Sequence, residues 1–187
     1  MEPAQGGGIL LDLGVHLVDQ ALTLFGPVRS VYAEVDARRG GADDDVFVAL
    51  EHDSGMHSHL WAGSIVGAPG PRLRVLGSEA AYVHPGLDGQ EDALAAGTRP
   101  DDPHYGTEPP ELWGGLQRGP GSDGRGGAVE PVRSERGWWP AFYVGLVTGL
   151  EGAADPPVSV QDALAGLAVL DAARRSASTG RIVAPVL

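Results

Sequence analysis

Apolar residues recur at helical spacing at the start of the chain. Plotted at about 100° per residue, Leu10, Leu13, Leu17, Ala21, Leu24 and Phe25 fall on one side and Asp12, His16, Asp19 and Thr23 on the other. The pattern predicts an amphipathic helix running to about Phe25, where Gly26-Pro27 cannot continue it. Gly6-Gly7-Gly8 leads into this helix without the spacing of a dinucleotide- or nucleotide-phosphate loop. It reads as a tight entry turn that lets the backbone approach a neighbour.

The period then changes from helical to two. Val31, Ala33, Val35 and Ala37 alternate with Tyr32, Glu34, Asp36 and Arg38, as in a half-buried strand. Val46 to Glu51 and His57 to Ala62 flank the turn cluster His52-Asp53-Ser54-Gly55 and predict an antiparallel hairpin. Arg72 to Leu76 and Ala80 to His84 predict another around Gly77-Ser78-Glu79. Successive strands with short connections imply a largely antiparallel sheet.

Periodicity fades from Pro85 to Gly127. Within it Gln90 to Ala96 is a candidate short helix, Leu112-Trp113 a candidate contact with the core, and Gly114 to Gly127 a Gly-rich, flexible segment. Val129 to Glu135 is expected to return as a strand. Two helices close the chain. Trp139, Phe142, Tyr143, Leu146, Val147 and Leu150 make one apolar face, and Trp138-Trp139 read as core anchors. Ser159-x-x-Asp162 resembles a capping box; Val160, Ala163, Leu164, Leu167 and Ala168 follow as a core stripe up to the candidate cap Gly180.

Composition narrows the function classes. A chain of 187 residues is expected to form one domain, 1–187, with its own core. A net charge of −12 opposes binding to nucleic acid or to anionic membranes. No apolar run reaches the ~20 residues of a membrane span, and the N-terminus lacks a charged-then-apolar leader, so a cytoplasmic location is expected. With no cysteine, thiolate chemistry is excluded. All 13 basic residues in the Lys+Arg count are arginine, which excludes lysine chemistry from this chain.

Asp12 and His16 place an acid and an imidazole one turn apart on a rigid element. Histidine exchanges protons near neutral pH, which suits general acid–base work. By spacing alone such a pair is more often a capped or solvated helix face than a catalytic one. His57 and His59 project to one side of a strand, but no third ligand is recognisable, so no metal site is assigned.

The chain resembles the C-terminal domain of Gfo/Idh/MocA-type NAD(P)-dependent oxidoreductases. The resemblance is carried in order by Gly6 to Gln20, Gly86-Leu87-Asp88-Gly89-Gln90-Glu91, Trp139-Pro140-Ala141-Phe142-Tyr143 and Pro157 to Leu164. It implies an α+β fold, an open and predominantly antiparallel sheet packed on helices, similar to the C-terminal domain of glyceraldehyde-3-phosphate dehydrogenase. It also implies a sugar, polyol or related hydroxyl substrate, with His16 as general base, Asp12 orienting the histidine or holding the hydroxyl, and Asp19 touching substrate. NAD or NADP would be held by an N-terminal Rossmann domain that this chain lacks, together with the family's lysine. The isolated chain is therefore expected to bind no cofactor and to be inactive. Homodimers or homotetramers through the sheet face are expected. The alternative is a non-catalytic ligand-sensing or protein-interaction module of the same fold.

Overall fold

In the computed structural model, which describes residues 7–119 and 126–186, the first helix opens with a π-helical turn, Leu10–Gly14, and continues as α1, Val15–Phe25. It ends where the sequence predicts, at Gly26 with φ of 80°, a backbone state that costs glycine little. Strands β1 (Val28–Asp36), β2 (Asp45–His52) and β3 (His57–Gly63) follow as an antiparallel meander. Val31 pairs with Leu50, and Val48 with Leu60.

This sheet buries Val31, Ala33, Val46, Val48, Leu50 and Ala62 against α1 and against the last helix, α4 (Val160–Thr179). The Ser159 hydroxyl accepts from the Asp162 amide at 3.1 Å, and the Asp162 carboxylate accepts from the Ser159 amide at 2.9 Å. The capping box therefore forms in full, and aspartate reaches far enough to complete it. The Ser159 hydroxyl also lies 2.7 Å from the Asp162 carboxylate, and hydrogen bonds from this hydroxyl and from the Ser159 amide hold that carboxyl below its usual range. Gly180 caps the other end in the left-handed conformation. Beyond it the chain returns to the sheet, where Val31 and Val183 exchange two backbone hydrogen bonds of 2.9 Å.

The expectation of one domain drew no boundary within residues 1–187. The chain divides into two compact units, Met1–Gly67 with Val158–Leu187, and Ala68–Pro157. The second contains β4 (Leu73–Leu76), β5 (Ala80–His84), α2 (Gln90–Ala95), β6 (Gly114–Arg118), β7 (Val129–Val132) and α3 (Pro140–Leu150). Its four strands form an antiparallel sheet in chain order. The expected α+β, predominantly antiparallel architecture is present, and among the described residues its strands pair as two sheets. Between them Pro69 and Pro71 have no N–H to donate to a ladder.

The predicted flexible stretch 114–127 is also corrected in part, because Gly114–Arg118 is a strand paired on both edges. Gly114 suits that place since a Cβ there would run into the Tyr82 ring. Residues 120–125 of that stretch lie outside the described residues.

Three predicted core stripes are exposed in whole or in part. Leu13 and Leu24 of the first helix are 46% and 55% exposed; Leu10 and Ala21 of the predicted stripe are buried, together with Gly14 and Val18. On α4 the buried residues are Ala168, Val169, Leu170, Ala172, Ala173 and Ser176, whereas Val160, Leu164 and Leu167 face outward. No residue of α3 is buried, and Trp138 and Trp139 are half-exposed rather than core anchors. Periodicity identifies an apolar stripe but not what covers it. Among the described residues no helix is long and apolar enough to cross a membrane.

Candidate functional site

Asp12, His16 and Asp19 are all exposed along the first helix, so the polar stripe faces outward as its spacing predicts. Asp12 belongs to the π turn and His16 to the first turn of α1. Such turns recur at functional sites because they re-aim side chains relative to a regular helix. Among the described residues, the side chains of Asp12 and His16 make no hydrogen bond or ion pair, with each other or with anything else. The pair is open to whatever binds above it.

The helix that carries these residues is fixed by a residue that lies 33 positions away. Asp43 accepts from the Ile9 amide through its carbonyl at 2.9 Å and from the Leu10 amide through its carboxylate at 2.7 Å. It satisfies two of the amides that a helix start leaves unpaired. Gly8 has φ of 128°, and a Cβ there would collide with the Asp43 carboxylate. Gly8 therefore admits a neighbour to the backbone, as a glycine at this turn suggests. The Leu10 amide is thereby taken by the Asp43 carboxylate and the Ile9 amide by the Asp43 carbonyl.

Asp44 closes the adjoining loop, accepting from the Arg38 and Arg39 amides at 2.8 and 3.1 Å and from Arg39 Nε at 3.0 Å. Burial alone would raise its carboxyl, but these hydrogen bonds and the Arg39 charge prevail and hold it below its usual 3.8. Asp45 pairs with Arg38. Three consecutive acids thus have three separate tasks, none legible from local periodicity.

The other end of α1 is held by His52, which is fully buried. Its Nδ1 donates to the Gly26 carbonyl and its Nε2 accepts from the Ser58 hydroxyl, both at 2.8 Å. His52 is a structural histidine whose ring nitrogens are both engaged. His57 and His59 share the exposed face of β3, where His59 lies 5.9 Å from the rings of Phe47 and Trp61. Among the described residues no group of three or more His, Cys, Asp or Glu could hold a metal ion.

In the second unit Gln90, buried at 1% exposure, donates to Asp88 at 2.6 Å and accepts from the Trp139 amide at 2.8 Å. Two stretches singled out in the sequence therefore meet through one side chain. Nearby His84 spans the Gly86 carbonyl at 2.7 Å and the buried Glu108 carboxylate at 3.2 Å.

Residues 1–186 match the sequence model of the oxidoreductase family C-terminal alpha/beta domain, Gfo/Idh/MocA. The chain is 35% identical over 177 residues to scyllo-inositol 2-dehydrogenase (NADP(+)) IolW of Bacillus subtilis, covering 94% of this chain and 49% of that protein. It is 31% identical over 183 residues to the uncharacterized oxidoreductase YdgJ of Escherichia coli, covering 92% and 49%. The solved structure of YvaA from Bacillus subtilis superposes with a TM-score of 0.87 at 33% identity, over 96% of this chain and 53% of that one. The chain spans about half the length of these relatives. It belongs to the Gfo/Idh/MocA oxidoreductase family and carries that family's C-terminal alpha/beta domain.

Proposed function

We propose that this chain is the substrate-side domain of an NAD(P)-dependent oxidoreductase acting on a hydroxyl of a sugar, polyol or related compound. The observation that carries the reading is the outward stripe Asp12–His16–Asp19, without internal partners among the described residues, on a helix pinned at both ends. The inositol dehydrogenase activity named for one relative supports a polyhydroxylated ring as substrate.

In this reading a ring nitrogen of His16 takes the hydroxyl proton as the carbon is oxidised. Asp12 holds the hydroxyl or orients the imidazole, and Asp19, further along the stripe, contacts the substrate. A nicotinamide cofactor, held by a Rossmann domain outside this chain, would supply the hydride acceptor. Titration calorimetry of the isolated chain should show no NAD(P) binding; micromolar affinity would contradict the division of labour.

The reading includes self-association through the exposed face of the β1–β3 sheet. Phe47 and Trp61 lie there with ring centroids 5.2 Å apart, and Trp61 is 67% exposed. Large aromatics left in water on a sheet face favour burial against another copy. Light scattering should find dimers or tetramers, and Trp61→Asp should shift them to monomer. A wild-type chain that stays monomeric at high concentration would contradict this.

A further inference from the structure

The Asp12 side chain has no hydrogen bond or ion pair among the described residues, so its direction is set by the backbone that carries it. That backbone is the π turn Leu10–Gly14, whose wider rings aim side chains differently from a regular helix. Ile9, which precedes the turn, provides no side-chain cap. The cap comes instead from the connection between β1 and β2, through the Asp43 carboxylate on the Leu10 amide at 2.7 Å. The Ile9 amide is already satisfied by the Asp43 carbonyl, which any residue at position 43 would supply. The carboxylate is therefore a separate hold, and it acts on Leu10, two residues before Asp12.

The connection that carries Asp43 is itself braced. The Asp44 amide donates to the Asp36 carbonyl at 2.9 Å, and the Asp44 carbonyl accepts from the Ser64 amide at 3.0 Å, just past β3. Arg39, held by the Asp44 carboxylate, reaches the Ser64 hydroxyl at 2.6 Å. Asp43 thus stands on a support tied to β1 and to the end of β3, and it can transmit that rigidity to the helix.

We infer that Asp43 is a positioning residue for the reaction, its carboxylate setting the π turn and with it the direction of Asp12, an inference that rests on the function proposed above. Productive groups must be held to within about 0.5 Å, and a displacement of about 1 Å can cost roughly 10²-fold in rate.

The test uses a chimera in which this chain replaces the matching half of the inositol dehydrogenase relative, with inositols and sugars as substrates. Asp43→Ala removes the acceptor for Leu10 and keeps the carbonyl for Ile9. It should lower kcat per folded molecule by about 10- to 100-fold and leave the KM for NADP unchanged. Asp43→Asn keeps an oxygen at the same reach and should return kcat to within about threefold of wild type. If alanine leaves too little folded protein, Asp43→Glu, which displaces the carboxylate by one methylene, should lower kcat by about tenfold with the same split.

A double-mutant cycle separates positioning from stability. Once Asp12 is replaced by asparagine, Asp43→Ala should cost no more than about twofold, because the group it aims is already lost. Amide hydrogen exchange gives a readout without turnover: the Leu10 amide should exchange about tenfold or more faster in Asp43→Ala, while residues 18–25 keep their protection.

Wild-type kcat in both Asp43→Ala and Asp43→Glu, or an equal loss with and without Asp12, would overturn the inference and leave the proposed function intact. Unchanged exchange at Leu10 would overturn it as well. A wild-type chimera that binds NADP but turns over no sugar or polyol, with exchange accelerated through Leu10–Gly14 in Asp43→Ala, would uphold Asp43 as the residue that sets the π turn and count against the function.

Discussion

Replacing His16 by alanine, in this chain joined to a cofactor-binding half, is expected to lower turnover by about 10²–10⁴, the usual worth of a positioned general base. Cofactor affinity should be nearly unchanged, because in the proposed division of labour the nicotinamide cofactor is held by the other half of the enzyme. Folding should also be unchanged. His16 is exposed and, among the described residues, makes no hydrogen bond that its loss would strand. Asp12→Asn should impair turnover as well, by altering how the hydroxyl or the imidazole is held and not by removing the base. A His16→Ala protein that fails to fold, while its folded fraction keeps wild-type activity, would make the histidine structural and transfer support to the non-catalytic module reading.

Leu10→Ala should cost about 2–5 kcal/mol of stability, the range for deleting a buried leucine side chain. Leu13→Ala should stay within about 0.5 kcal/mol, as surface changes do. Leu10 is 1% exposed and Leu13 46%, although their spacing puts both on one apolar stripe. Chemical denaturation of the two variants reads the difference directly. Similar losses in both would mean that the π turn does not set the register of the first helix, and with it the direction in which Asp12 points.

That pair of leucines illustrates what sequence reasoning reaches. Features governed by neighbours in the chain were legible: the stop at Gly26-Pro27, both hairpins, the Ser159–Asp162 box and the Gly180 cap all depend on short-range chemistry. Residues that act across the fold were not. Asp43 anchors a helix that begins 33 residues earlier, and buried Ser176 accepts from the Ala33 amide at 2.9 Å across 143 residues. No local periodicity encodes such partnerships.

Coverage was equally hidden. Hydrophobic spacing on α3 and α4 is real, but burial depends on what lies opposite, and half of α4's stripe is open. The candidate site was legible as residue types and spacing on one helix, and its outward direction agrees with the structure. Its setting, with Asp43 at one end of the helix and His52 at the other, came only from three dimensions.

The most direct test of the central claim is reduction of NADP, followed by absorbance, with a panel of inositols and sugars. It would compare the isolated chain with the chimera that adds the cofactor-binding half. The account predicts no reduction by the isolated chain and substrate-dependent reduction by the chimera that collapses on His16→Ala. Turnover by the isolated chain, or undiminished turnover by the His16→Ala chimera, would contradict it.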